Sequence, residues 1–255
     1  RGRCLQAARR PYVFLPVKPF LLLCGLLLSA GATATETPQT AGRIELQVPY
    51  AFDYLIALPE GYTDEPDRRW PLLVFLHGAG ERGRDLSRVA RHGPPALIAA
   101  GRRFPAIVLS PQCPDDTWWN LPAVETLIDE LARKLRVDQN RIYLTGLSMG
   151  GYAVWSLAQR RPDYYAAVVP ICGGGDPRWA PRLRDQPLWA FHGARDEAVL
   201  PRESQKMIEA IRAAGGRPHF TLYPEAGHDA WTAAYGDEAL WGWLFAQHRG
   251  NPASP

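Results

Sequence analysis

Ser148, Asp196 and His228 stand in the chain in the order nucleophile, acid, base, each just past an apolar run. Ser148 is the centre of Gly146-Leu147-Ser148-Met149-Gly150, a G-x-S-x-G pentapeptide. Residues 141–145 before it read as a buried strand, and residues 151–158 after it read as a helix. A serine on so sharp a strand-to-helix turn has its hydroxyl raised above the sheet edge, at a helix N-terminus. Gly146 and Gly150 leave room for the turn, where a Cβ would meet neighbouring backbone. The chemistry this constellation offers is acyl transfer. Ser148 would attack the acyl carbon, and His228 would take its proton and pass it to the leaving group. Asp196 would fix the imidazole tautomer and stabilise the imidazolium.

The acid and the base each have competitors. Asp196 closes His192-Gly193-Ala194-Arg195-Asp196, the loop after the apolar run 188–191. Asp176 follows the preceding strand, and Asp229 and Asp237 lie further on. His228 sits in Ala226-Gly227-His228-Asp229, after the run 220–223. His77 and His192 are each followed by glycine at a strand end, which suits residues that shape loops. His92, His219 and His248 have no such setting. The developing oxyanion needs two backbone N–H donors, each worth ~3 kcal/mol in the transition state. Met149, just after the serine, supplies one. The loop 77–83, with sequence HGAGERG, supplies the other, from Ala79 or else Gly80. That loop lacks the G-K-[ST] ending of a phosphate cradle. Trp118 and Trp119, beyond another strand end, are candidates for lining an acyl or aromatic pocket.

These side chains need a rigid frame. Apolar runs at 71–76, 104–110, 166–171, 188–191 and 220–223, with the run before Ser148, suit parallel strands covered on both faces. Shorter segments at 44–48 and 54–58 read as two opening strands. Helical spacing marks 122–136, with Pro122 in its first turn, and 203–214, which stops at Gly215-Gly216. A last amphipathic helix is expected over 237–249. Strands alternating with helices give an α/β fold with a mostly parallel sheet and helices on both faces. The stretch 173–186 is too short for a lid domain, so the site is expected to be open to bulky or polymeric substrates.

Composition places the chain among ordinary globular proteins, at 255 residues with 46% hydrophobic and 22% charged. Residues 1–34 differ. Their only charges are Arg1, Arg3, Arg9, Arg10 and Lys18, followed by an apolar run and then Ala32-Thr33-Ala34. This is the pattern of a secretory signal peptide with cleavage after Ala34. Residues 35–43 then form a linker, and 44–250 the catalytic domain. Without the leader the chain is slightly acidic, which gives no reason to expect nucleic acid as a partner. Nor is a membrane expected to hold the exported protein, in the periplasm or outside the cell. Cys113 and Cys172 remain in a compartment that permits disulfides. No Cys/His spacing suggests a metal, and the chemistry requires no cofactor.

From residue 73 to 231 the chain resembles secreted bacterial α/β-hydrolases of the carboxylesterase and predicted-peptidase type. Enzymes like polyhydroxybutyrate depolymerases and feruloyl esterases are close to that group. The resemblance rests on FLHGAGERG at 75–83, RIYLTGLSMGG at 141–151, PICGGGD at 170–176 and AGHD at 226–229. It implies the same triad, Ser148, Asp196 and His228, in the chain order usual for that fold. It also implies that the strand ending at Ser110 lies on the far side of the 71–76 strand from Ser148, which argues against a Cys113–Cys172 bridge. Dienelactone hydrolases share the fold but use a cysteine nucleophile; Ser148 departs from them. The function expected is hydrolysis of carboxylic esters, small or polymer-attached. A serine peptidase of the prolyl-oligopeptidase type is the alternative. A non-catalytic binding protein is a third, and it fits poorly with a triad that is complete in sequence.

Overall fold

The computed structural model of the protein describes residue 43 and residues 49–250. The leader, the linker up to residue 42 and the opening strand at 44–48 lie outside the described residues.

Among the described residues, seven strands form one sheet in the order β1-β3-β2-β4-β5-β6-β7. They are β1 (Tyr54–Ala57), β2 (Trp70–Leu76), β3 (Ile107–Pro111), β4 (Val137–Leu147), β5 (Ala167–Ile171), β6 (Trp189–Gly193) and β7 (His219–Tyr223). β1 runs antiparallel to β3, and the other pairings are parallel. The runs WPLLVFL and IVLSP are buried at every position, as strands covered on both faces must be. Alternate β2 residues face opposite sides. Leu72, Val74 and Leu76 enter one core and Leu73 and Phe75 the other, the period of two that a pleated strand imposes.

One face is covered by α2 (Leu121–Lys134), α3 (Met149–Arg160) and α4 (Arg202–Ala213). The other carries α1 (Gly93–Ala99), α5 (Trp231–Gly236) and α6 (Glu238–Ala246). Asn120 caps α2 by accepting the Ala123 N–H at 3.1 Å, and Pro122 lies in its first turn. Gly215, at φ 89°, follows the end of α4.

Two expectations need correction. The helix expected over 237–249 is α6, shorter at its C-terminal end, and a short helix that was not expected, α5, precedes it. Asp237 separates them because its side chain caps α6 at the Ala239 N–H, 2.9 Å away. The strand leading to Ser148 starts earlier than its apolar core, because Val137 pairs with Trp70 at the foot of β2. α1 was not expected; its sequence GPPALIA carries two prolines where a first turn tolerates them.

Candidate active site

Every expected chemical group lies at the C-terminal edge of the parallel strands. Ser148 sits between β4 and α3 at φ 52° and ψ −118°, a backbone conformation that side-chain-bearing residues rarely adopt. Its N–H donates to the Ile171 carbonyl at 2.9 Å, tying the turn to β5. The turn has no room for a larger residue at Gly150. A Cβ there would lie 1.9 Å from the Leu76 carbonyl oxygen.

His228 joins the three side chains. Its Nε2 is 2.9 Å from Ser148 Oγ and its Nδ1 is 2.7 Å from Asp196 Oδ2. A carboxylate accepts only, so Nδ1 carries the proton and Nε2 is free to take one from the serine. The Asp196 side chain has no solvent exposure. Its Oδ1 accepts the N–H groups of Ala198 and Val199, each at 2.9 Å. Burial opposes ionisation of Asp196. The His228 hydrogen bond and the Val199 and Ala198 N–H groups outweigh it, and hold the carboxyl below its ordinary value.

The loop after β2 begins a 3-10 turn, Ala79–Glu81. Ala79 there and Met149 in α3 are the first residues of their helical turns, where an N–H has no intrahelical partner. Both expected oxyanion donors therefore come from helix starts, and Gly80 follows on an exposed part of the same turn. The loop is braced by Glu81, which had no expected role, and by His77, a residue expected to shape loops. Glu81, buried, accepts the Gly78 N–H at 3.1 Å. His77 Nε2 accepts the Cys113 N–H at 3.0 Å, so its proton is on Nδ1, 2.6 Å from the Gly78 carbonyl. Burial pushes the His77 pKa down to about 4, so it is a neutral strut at ordinary pH. The legible signal was an acid inside a glycine-rich loop, where a solvated turn needs none.

Aromatic rings join the two loops. Trp231 meets His228 edge-on at 5.1 Å between centroids and His92 at 5.6 Å. His92 Nε2 lies 3.8 Å from Glu81 Oε1. The two expected pocket tryptophans are separated. Trp118 is 66% exposed and meets Tyr152, four residues past Ser148, edge-on at 6.3 Å. Trp119 is 6% exposed and belongs to the core. Its Nε1 donates to the His77 carbonyl at 3.2 Å, so it supports the loop from below and is not an open pocket wall.

The strand order places β2 and β4 between the strands that precede Cys113 and Cys172, and both thiols are free and buried. Cys172, His192 and Asp196 bring one ligand-type atom each within 4.8 Å of one another. These atoms are already committed to hydrogen bonds. His192 Nε2 faces the Val199 carbonyl at 2.8 Å, and burial pushes the Cys172 pKa up to about 12, keeping it a thiol. The donor set suits a hydrogen-bonded cluster better than a cation.

A mostly parallel sheet with a serine elbow after β4, an acid after β6 and a histidine after β7 is the α/β-hydrolase fold. The profile of the Dienelactone hydrolase family matches residues 119–238, a stretch that contains Ser148, Asp196 and His228. "Putative esterase NocK" of Nocardia uniformis subsp. tsuyamanensis is 30% identical over 154 residues, covering 56% of this chain and 42% of that protein. The bifunctional acetylxylan esterase/xylanase XynS20E of Neocallimastix patriciarum is 31% identical over 97 residues, 38% of this chain and 14% of that protein. Among solved structures, a thermostable esterase superposes with a TM-score of 0.68 at 34% identity, covering 77% of this chain and 59% of that one. The acylaminoacyl peptidase of Pyrococcus horikoshii superposes at 0.62 with 14% identity, covering 82% and 41%, a likeness of fold alone. The chain thus spans less than two thirds of NocK and of the thermostable esterase. Among the described residues, no helix is long and apolar enough to cross a membrane.

Proposed function

We propose that the protein is a serine esterase that cleaves carboxylic esters through an acyl-enzyme on Ser148. The observation that carries this is the unbroken hydrogen-bonded chain from Ser148 Oγ through His228 to Asp196. His228 Nε2 takes the Ser148 proton as Oγ bonds to the acyl carbon. Met149 and Ala79 N–H groups receive the oxyanion. The imidazolium, held by Asp196, protonates the departing alkoxide. Water then enters, gives its proton to His228 and its oxygen to the acyl group, and releases Ser148. No step draws on a cofactor.

Dienelactone hydrolases use a cysteine nucleophile, whereas this chain presents a hydroxyl at the elbow, which favours simple carboxylic esters over dienelactones. The names of its relatives, an esterase and an acetylxylan esterase/xylanase, support ester substrates. The leader-like residues 1–34 support export, which sequencing the N-terminus of the mature protein tests. Hydrolysis of p-nitrophenyl acetate and butyrate, measured beside Ser148→Ala, tests the chemistry. Turnover that vanishes in the folded variant is expected. A folded parent that turns over peptides but no ester would overturn the ester reading in favour of a peptidase.

A further inference from the structure

His192 is a fully buried histidine that the acyl-transfer steps do not use. Its Nε2 lies 2.8 Å from the Val199 carbonyl and 3.2 Å from Asp196 Oδ2. Both are acceptors, so Nε2 carries the proton; its hydrogen bond is to the Val199 carbonyl, and the carboxylate oxygen that holds His228 lies beside it. Its Nδ1 lies 2.7 Å from Ser204 Oγ, which in turn is 2.8 Å from the Gly173 carbonyl. Burial pushes the His192 pKa down; with the ring neutral, the one Ser204 hydroxyl proton serves either Nδ1 or the Gly173 carbonyl. The ring thus ties the acid's loop to α4.

We propose that His192 is a positioning residue for the triad acid: a second histidine whose Nε2–H, held on the Val199 carbonyl, flanks Asp196 Oδ2 and shares its charge with His228. It rests on the reading of Ser148, His228 and Asp196 as a working triad. Asp196 Oδ1 is fully engaged by the Ala198 and Val199 N–H groups. With His192 Nε2 3.2 Å from Oδ2, the carboxylate is confined between the two histidines, and Oδ2 faces His228 Nδ1. The other titratable groups facing the pair are the Cys172 thiol after β5, His228 after β7 and Tyr152 on α3. Cys172 stays protonated, and Tyr152 is raised by burial and then by Glu203 and Asp196, so neither changes charge near neutrality.

Losing the His192 N–H has two consequences. Asp196 is less firmly held, which lowers kcat. More of its charge falls on His228, which favours the imidazolium and moves the acid limb of the pH profile upward.

The test compares His192→Phe, His192→Gln and Ser204→Ala with the parent. Glutamine carries an amide N–H to the place of Nε2. In His192→Phe, kcat on p-nitrophenyl butyrate is expected to fall by on the order of tenfold or more with KM little changed. The acid limb of kcat/KM is expected to rise by a few tenths of a pH unit. His192→Gln should restore most of both, and Ser204→Ala should move the limb in the same direction by less. Titration of the His228 imidazole by NMR reads the same displacement without turnover. A parent with no ester turnover therefore sinks the proposed function while leaving this inference to the NMR shift. Activity falling only with the folded fraction, and a His228 titration unmoved in His192→Phe, would overturn it. If the phenylalanine variant does not fold, an unmoved titration in Ser204→Ala overturns it equally.

Discussion

Gly193 stands so close to Gly227 that a Cβ on Gly193 would lie 2.1 Å from the Gly227 carbonyl oxygen. The Ala194 and Arg195 N–H groups bond to the Tyr223 and Ala226 carbonyls at 2.9 Å. The loop bearing Asp196 is thereby laced to the loop bearing His228, and the acid–base distance is set by backbone. Gly193→Ala must push the loops apart. Displacing a catalytic group by about 1 Å costs on the order of 100-fold, so kcat should fall by about that much. Ester kinetics with a parallel thermal melt check this. An alanine variant with the parent's kcat would show that the close approach does not position the triad.

The Ser148 backbone should be a store of strain. At φ 52° and ψ −118° a residue with a Cβ is strained by ~1–3 kcal/mol, while glycine adopts the conformation freely but loses ~0.5–1 kcal/mol of chain entropy. Ser148→Gly should therefore be more stable than Ser148→Ala by about 1 kcal/mol, both being inactive. Urea unfolding of the pair measures it, and equal midpoints would mean that the turn is relaxed.

The positions of this site were legible because strand ends can be read. Uninterrupted apolar runs located β2, β5, β6 and β7 to within two residues. The residues just past β4, β6 and β7 included Ser148, Asp196 and His228. Glycines beside those residues marked where backbones approach. The supporting groups were not legible. His192 and His77 read as loop formers, because what each ring nitrogen faces depends on β6 lying beside β5 and on β3 flanking β2. Trp119 read like Trp118 because adjacent residues share every sequence signal, and only the fold turns one inward. The start of α6 was legible at Asp237, which caps it, whereas the short α5 before it was not read.

Acid should destabilise the fold earlier than its carboxylates alone would cause. The folded His77 pKa is about 4, below its ordinary 6.5. Between those values the unfolded chain binds a proton that the native one refuses. The stabilisation is complete above pH ~6.5 and is lost as pH falls towards ~4, by about 3 kcal/mol. Burial of His192 acts in the same direction. Urea unfolding across this range should show stability falling with acid, with a shallower slope in His77→Asn. An unchanged slope in that variant would mean that His77 is not the group responsible.

The paired tryptophans should respond in opposite ways to truncation. Trp119 is packed among core residues, its indole N–H on the His77 carbonyl, and its ring is 4.8 Å from that histidine. Trp119→Ala leaves a cavity under the oxyanion loop and should cost about 3–5 kcal/mol of stability, with activity lost on large and small esters alike. Trp118 is 66% exposed beside Tyr152, so Trp118→Ala should leave the melting temperature within a few degrees. If Trp118 and Tyr152 form a wall for the acyl or alcohol group, kcat/KM on aryl esters falls while p-nitrophenyl acetate turnover holds. The difference comes from the physics of burial. A buried ring is worth its packing to every substrate, whereas an exposed ring near the nucleophile is worth something only to substrates long enough to touch it. Equal losses on acetate and on a bulky aryl ester in Trp118→Ala would remove it from the binding surface.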